Sequence, residues 1–286
     1  MLNDFSNCKV TPTFYGGSEK KIGVLINGFE YMLKFQKYTN FGSKCFNHIS
    51  EYIGSHIFRL LGYDSQETYL GYYNGEEVVA CRNFVSKDFQ FVPFNDVGES
   101  TLEQDKEKYQ YSYQDIMKML KENSKLTNVE ETISIFWEMF IVDALIGNFD
   151  RHGSNWGFLK QNNKYTLAPI FDNGSCLFPR LTDEDEMLEI INSEEKTNNR
   201  IFTFPTSQIK LDGKKSSYYD VISSLKFPEC NKALIEVCEK YSQVKIDALI
   251  DSTPLISEVH KKFYKHIIKS RYEKILKESY IKLTRK

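Results

Sequence analysis

Apolar positions in the first third of the chain fall in short runs split by Asn-Gly pairs. Ile22 to Ile26, Asn27-Gly28 and Tyr31 to Phe35 form one such unit, and Thr68 to Tyr73, Asn74-Gly75 and Glu76 to Ala80 form a second. Asn-Gly between β-rich runs is the strongest short-range hairpin signal, because both residues tolerate the positive φ that a two-residue turn requires. Between the hairpins the period changes. Phe46, Ile49, Ile53, Ile57, Leu60 and Leu61 recur at helical spacing, with Ser43 placed to cap the start and Gly62 to end the helix. Glu51 lies about 140° from that stripe at 100° per residue, so it reads as lying off the core, facing either a cleft or water.

From Glu131 to Ile146 the pattern is helical again, with Ile133, Phe136, Trp137, Phe140, Ile141, Ala144 and Leu145 at three- and four-residue spacing. Trp156 to Leu159 and Tyr165 to Ala168 flank the polar turn at 161–163 and predict a third hairpin. Residues 95–110 read as a polar loop, and 182–196 as a solvated acidic loop, with an ordered activation-type segment as its alternative. Residues 215–250 read as helices broken at Phe227-Pro228. The final stretch, 261–286, carries ten Lys or Arg against two acids and an apolar face through Phe263, Ile267, Ile268, Ile275, Leu276 and Leu283. It predicts a basic amphipathic helix that packs on the helical part of the chain. The alternative is contact with acidic partners, nucleic acid or membrane. Strands first and helices afterwards predict an α+β protein of two lobes, a β-rich N-lobe over 1–85 and a helical C-lobe over 86–286.

Bulk properties narrow the class. A formal charge of −2 over 286 residues gives no whole-chain attraction to nucleic acid or membrane. No apolar run reaches transmembrane length, and no signal-peptide core follows Met1. The six cysteines form no C-x-x-C pair, which argues against a zinc ribbon and fits reduced thiols in the cytoplasm. An effector exported without a cleavable signal would carry the same features.

The candidate chemistry centres on Gly147-Asn-Phe-Asp150-Arg-His152-Gly-Ser-Asn155. Asp150 and Asn155 are five residues apart, and Asp172 follows Asp150 by 22. Phosphoryl transfer needs a carboxylate that orients the attacking hydroxyl and oxygen ligands that hold Mg²⁺ on the phosphates. Asp150 fits the first role; Asn155 and Asp172 fit the second. His152 either contacts ATP or braces the loop, and Arg151 reads as a surface residue. Lys34, inside the apolar run Tyr31 to Phe35, is either a snorkelling edge lysine or a phosphate-gripping one. The downstream loop favours the phosphate role, and a lysine serving only that role would be removable without loss of folding. Gly16, Gly17 and Ser18 form a turn whose N–H groups suit a phosphate cradle, with Lys20 beside it. Arg82 and Phe84, after the second hairpin, occupy the position of an adenine-binding hinge.

With these residues in view, the chain resembles the HipA-like serine/threonine kinases. Asp150-Arg-His-Gly-Ser-Asn155 is similar to that family's D-x-H-x-x-N loop, and Leu167-Ala-Pro-Ile-Phe-Asp172 to its L-A-P-x-[YF]-D strand. Gly16 to Lys20 resembles its phosphate-binding G-x-Q-x-K segment, with Ser18 where the family has Gln. Glu51 fits its helix pattern as the partner of Lys34. By size the chain resembles the short stand-alone members. The resemblance implies a two-lobed kinase-like fold, ATP and Mg²⁺ as cofactors, and a protein substrate with a Ser/Thr acceptor, autophosphorylation included. A small-molecule phosphotransferase of the aminoglycoside- or choline-kinase type shares the loop and differs in acceptor. A catalytically inert binding module would keep the fold alone.

Overall fold

The computed structural model describes residues 2–16, 20–101 and 111–285. The chain forms two compact units. The first comprises Met1–Phe84, Pro169–Ile190 and Ser242–Lys265; the second comprises Val85–Ala168, Ile191–Tyr241 and His266–Lys286. Two later segments thus fold with the leading 84 residues, where the sequence suggested contiguous halves.

The first unit is built on a six-stranded sheet, in the order β1-β5-β6-β4-β3-β2. Strands β3 (Lys21–Ile26) and β4 (Phe29–Phe35) form the first hairpin, and β5 (Thr68–Tyr73) and β6 (Glu76–Arg82) the second. Both turns use the anticipated pairs at positive φ: Asn27 at 50° and Gly28 at 83°, Asn74 at 51° and Gly75 at 81°. Strand β4 then pairs antiparallel with β6, which joins the hairpins. The short edge strands β1 (Asn3–Asp4) and β2 (Lys9–Val10) add to β5 and β3. One face of the sheet buries Val24, Tyr31, Leu33, Phe35, Val78 and Ala80 with Phe5. Since side chains alternate along a strand, Lys34 points to the other face. That face is covered by helix α1 (Asn47–Leu60), which packs on β5 and β6.

Helix α1 differs from expectation in three ways. It starts at Asn47, with Phe46 at the cap position and no side-chain cap; Ser43 lies in the preceding loop. Leu60, assigned to the apolar stripe, is exposed, while Ile49, Ile53 and Ile57 are fully buried. The polar side of the helix is buried as well, because the chain after Asp172 lies against it: the main-chain N–H of Asn173 reaches Glu51 and its side-chain amide reaches Ser55.

In the second unit a three-stranded sheet joins β7 (Gln90–Pro93), β8 (Gly157–Gln161) and β9 (Lys164–Leu167). The β8–β9 turn is Asn162-Asn163, both at positive φ. Residues 94–101 are not loop but helix α2 (Phe94–Thr101); residues 102–110 lie outside the described part. Helix α3 (Tyr113–Glu122) opens with a capping box between Ser112 and Asp115. Helix α4 (Val129–Ile146) is capped by Asn128 and buries every residue from Phe136 to Ile146. It is a central helix, apolar on all sides. Gly147 closes it at φ 65°.

The acidic stretch expected as a loop is helical, as α5 (Glu184–Asn192) and α6 (Glu194–Asn198). Strands β10 (Thr206–Leu211) and β11 (Lys214–Ser217) form a further hairpin. Helix α7 (Tyr218–Ser223) and helix α8 (Pro228–Lys240), which begins at the expected Pro break, follow, and α8 packs on α4. After α9 (Gln243–Ser252), α10 (Glu258–Arg271) passes through a π-helical stretch, Tyr272–Lys277, into α11 (Glu278–Thr284). The basic terminus packs as expected, with Phe263, Ile267, Ile268, Ile275 and Leu276 buried. Lys274 meets Glu194 at 3.1 Å and Asn198 at 2.6 Å. No helix among the described residues is long and apolar enough to cross a membrane.

Arg271 departs from a solvated basic face. It is fully buried and bonds main-chain carbonyls: Ala144 through Nε, at 2.5 Å, and Arg200 through Nη1, at 3.0 Å. A cation there faces the negative end of α4. Burial pushes its pKa down to about 10. Arg271→Ala is expected to lower stability by roughly 3 kcal/mol, because two buried carbonyls lose their donors. The urea midpoint should drop accordingly, and Arg271→Lys, with no fork of donors, should recover only part of the loss.

Candidate active site

In the first unit, Lys34 Nζ lies 2.7 Å from Glu51 Oε2 and 2.8 Å from Asp172 Oδ1. Lys34 is 6% exposed and Glu51 1%, whereas the Asp172 side chain is 37% exposed. Burial alone would lower the lysine pKa; the two carboxylates outweigh it and hold Lys34 well above its ordinary value. Glu51 is thus buried, unlike the off-core residue its helical angle suggested, and of the two alternatives the pairing with Lys34 is the one the structure shows. Its second oxygen, Oε1, accepts the N–H of Asn173 at 2.9 Å, so a neighbour of Asp172 also fixes the partner of Lys34. Asp172 takes φ 59°, a left-handed conformation that aspartate tolerates better than most residues.

The remaining residues proposed for nucleotide contact divide. Gly16 is exposed and its carbonyl accepts from Lys21 Nζ at 2.7 Å; Gly17 and Ser18 lie outside the described residues. Lys20 does not point to that turn. It pairs with Glu76, at the start of β6, at 2.5 Å and sits over the ring of Phe35 at the end of β4, the strand between β3 and β6. Both partners of this pair are half exposed, so it contributes little to stability. Arg82 is likewise committed elsewhere. Its guanidinium bonds Glu67 at 2.9 Å and covers Phe29, and its N–H donates to the Glu67 carbonyl. Phe84 packs its ring against Phe171, the residue before Asp172, at 5.4 Å.

In the second unit, the loop after α4 is tied to a buried network. Asp143 and Arg151, 1% and 6% exposed, pair through Nε–Oδ2 at 2.8 Å and Nη2–Oδ1 at 3.1 Å. Arg151 Nη1 donates to the Asn155 carbonyl at 3.0 Å. It is thus the internal brace of the loop and not a surface residue. Asn148, also buried, donates to Asp143 Oδ1 and accepts the N–H of Asp150 at 3.1 Å. The Tyr218 hydroxyl donates to the Asn148 carbonyl, and Gln208 to that of Phe149. Asn155 Nδ2 donates to the Asp150 carbonyl at 2.8 Å, which ties the two ends of the D-x-x-x-x-N stretch together.

The Asp150 carboxylate itself is 44% exposed and stands 3.9 Å from His152 Nε2. His152 Nδ1 accepts the N–H of Ser154 at 3.2 Å, a brace within the loop. Gly153 is required by close approach: a Cβ there would lie 2.0 Å from Asn95 Oδ1, and its carbonyl accepts the Asn95 N–H at 3.0 Å.

A profile of the HipA-like C-terminal domain matches residues 13–245. The chain belongs to the HipA-like family. Among HipA-like proteins, the serine/threonine-protein kinase CtkA of Helicobacter pylori is 35% identical over 284 residues, 96% of this chain and 86% of its own length. The crystal structure of the Helicobacter pylori proinflammatory kinase CtkA aligns over 99% of both chains, with a TM-score of 0.92 at 33% identity. HipA of Shewanella oneidensis, solved with HipB and operator DNA, aligns over 94% of this chain and 67% of its own. Its TM-score is 0.57 at 16% identity, a likeness of fold alone. The α+β, kinase-like fold expected from the HipA-like motifs is present.

Sequence reading missed three residues of these networks: Asp143 and Asn148 in the second unit and Asn173 in the first. Asp143 had a signal, a lone acid within the apolar run Phe140 to Ile146. Asn148 and Asn173 had none beyond standing beside the motif residues.

Two outcomes are expected. Asp143→Ala leaves Arg151 buried without its carboxylate and should cost about 3–5 kcal/mol, with faster amide exchange across 148–155. Lys34→Ala leaves Glu51 buried beside one main-chain N–H. A fall of at least about 2 kcal/mol in unfolding free energy is expected, against the intact folding that an isolated phosphate contact would allow.

Proposed function

We propose that this chain is an ATP- and Mg²⁺-dependent serine/threonine-protein kinase of the HipA-like type that phosphorylates protein hydroxyls, its own included. The observation that carries the reading is the buried lysine of β4, bonded to a helix glutamate and to Asp172. That set is what phosphate gripping asks of a fold: a cation held in place on rigid elements, and a carboxylate beside it. The relationship to CtkA supports the kinase class.

The roles follow residue by residue. Lys34 binds ATP phosphates, and Glu51 fixes its direction. Asp150 accepts the proton of the acceptor hydroxyl as the hydroxyl oxygen bonds the γ-phosphorus and the bond to the bridging oxygen of ADP breaks. Asn155 and Asp172 are suited to Mg²⁺: a carboxamide and a carboxylate are hard oxygen donors, and this ion takes its other ligands from phosphates and water. Bound there, the metal would neutralise charge on the phosphates. The Asn155 amide nitrogen is spent on the Asp150 carbonyl, which leaves its oxygen as the ligating atom.

The test is incubation of purified protein with MgATP, with mass spectrometry before and after. Phosphate is expected on Ser or Thr residues of the chain or of an added protein, lost by at least about a thousandfold in Asp150→Ala. Asp172→Asn should weaken Mg²⁺-dependent nucleotide binding measured by calorimetry. Transfer only to an added alcohol or sugar would assign a small-molecule acceptor, and no nucleotide binding at all would mark an inert module.

A further inference from the structure

The side of α1 that faces away from its apolar stripe is small and polar: Ser50, Glu51, Gly54 and Ser55. Each of these residues meets the turn that begins at Asp172. The Asn173 N–H donates to Glu51 Oε1 at 2.9 Å, and its side-chain Nδ2 donates to Ser55 Oγ at 3.0 Å. Cys176 Sγ lies 3.3 Å from the Ser50 carbonyl. Gly54 lets the two segments touch, since a Cβ there would lie 2.6 Å from Asn173 Cβ. Asn173, Ser50 and Ser55 are all fully buried.

These contacts close a ring. Lys34 joins Glu51, Glu51 joins the main chain of Asn173, and the preceding Asp172 returns to Lys34. Asp172 stands at φ 59° with a partly exposed side chain bonded to Lys34, so the direction of its carboxylate depends on how its backbone is held. The adjoining amide of Asn173, locked on Ser55, supplies that constraint.

We propose that Asn173 is a positioning residue for the metal ligand Asp172, acting through Ser55 and admitted by Gly54. The proposal rests on the reading of Asp172 as a ligand of Mg²⁺. It makes α1 and the Asp172 turn one body: Glu51 cannot be withdrawn from Lys34 without displacing Asp172. Loss of the tether lets the Asp172 carboxylate sample directions that do not serve the metal. Partners of this kind, one bond removed from a ligand, typically govern affinity by ten- to a hundredfold.

The experiment is calorimetric titration of Mg²⁺ into the full-length protein saturated with the β,γ-imido analogue of ATP. Electron paramagnetic resonance with Mn²⁺ serves as the second readout. Asn173→Ala and Ser55→Ala are each expected to weaken metal binding about tenfold, with the double variant no weaker than the single ones. Gly54→Ala, which drives Asn173 off the helix, should act in the same direction. Ser55→Ala removes one oxygen and no bulk, so it reports even if Asn173→Ala folds poorly. Wild-type metal affinity in folded Ser55→Ala and Asn173→Ala, with only a lower melting temperature, would overturn the proposal. Asp172→Asn run in parallel separates the two layers. If it weakens the metal while the tether variants do not, the tether alone is wrong. If it too binds the metal as wild type, the assignment of Asp172 fails and the proposal with it.

Discussion

A lysine buried between two carboxylates is the constraint on which the first unit depends. Lys34 cannot sit beneath α1 uncharged or alone, because an unpaired buried cation costs several kcal/mol. Glu51 and Asp172 remove that cost, and in doing so they bring together a strand, a helix and a turn separated by up to 138 residues of chain. The pairing aligns three elements in one operation. It also explains why 169–190 fold with the leading 84 residues: the segment supplies both Asp172 and the N–H that holds Glu51.

The second unit solves a similar problem with a different pair. Asp143 is the one acid in the apolar run Phe140 to Ile146 that ends α4, and Arg151 is drawn back to it from the following loop. The loop between them is then short and fully bonded, with Asn148 and Tyr218 closing what the ion pair leaves open. The outcome is a loop whose main chain is rigid and whose Asp150 carboxylate stays half exposed. Rigidity from buried partners with an exposed tip is the arrangement that the role proposed for Asp150 requires. Arg271 adds support from the far end of the chain, where its guanidinium meets the carbonyl of Ala144 just before the loop begins.

Much of this was legible in the sequence, and for local reasons. The Asn-Gly turns, the stop at Gly147, the Pro break before α8 and the order of helix, loop and hairpin are properties of a few adjacent residues. Asp150, Asn155 and Asp172 were singled out by spacing and Lys34 by its misfit with the residues around it, and the structure shows Lys34 bonded to Asp172. The failures share one cause. Glu51, Arg151 and Arg271 are charged residues whose burial depends on what arrives from elsewhere in the chain. Helical angle and charge density both assign such residues to water. Lys20 and Arg82, whose charges were read toward a nucleotide, pair in the structure with Glu76 and Glu67, acids that the linear sequence does not place beside them. The acidic stretch at 182–196 is helical, and one of its acids, Glu194, pairs with Lys274 from the terminus.

The amino-acid order alone therefore gave most of the element types and the turn chemistry. It could do so because these depend on neighbours within a few residues. The tertiary structure decided which charges are inside and what each one holds, since a buried ion is tolerated only where distant segments bring its counter-charge.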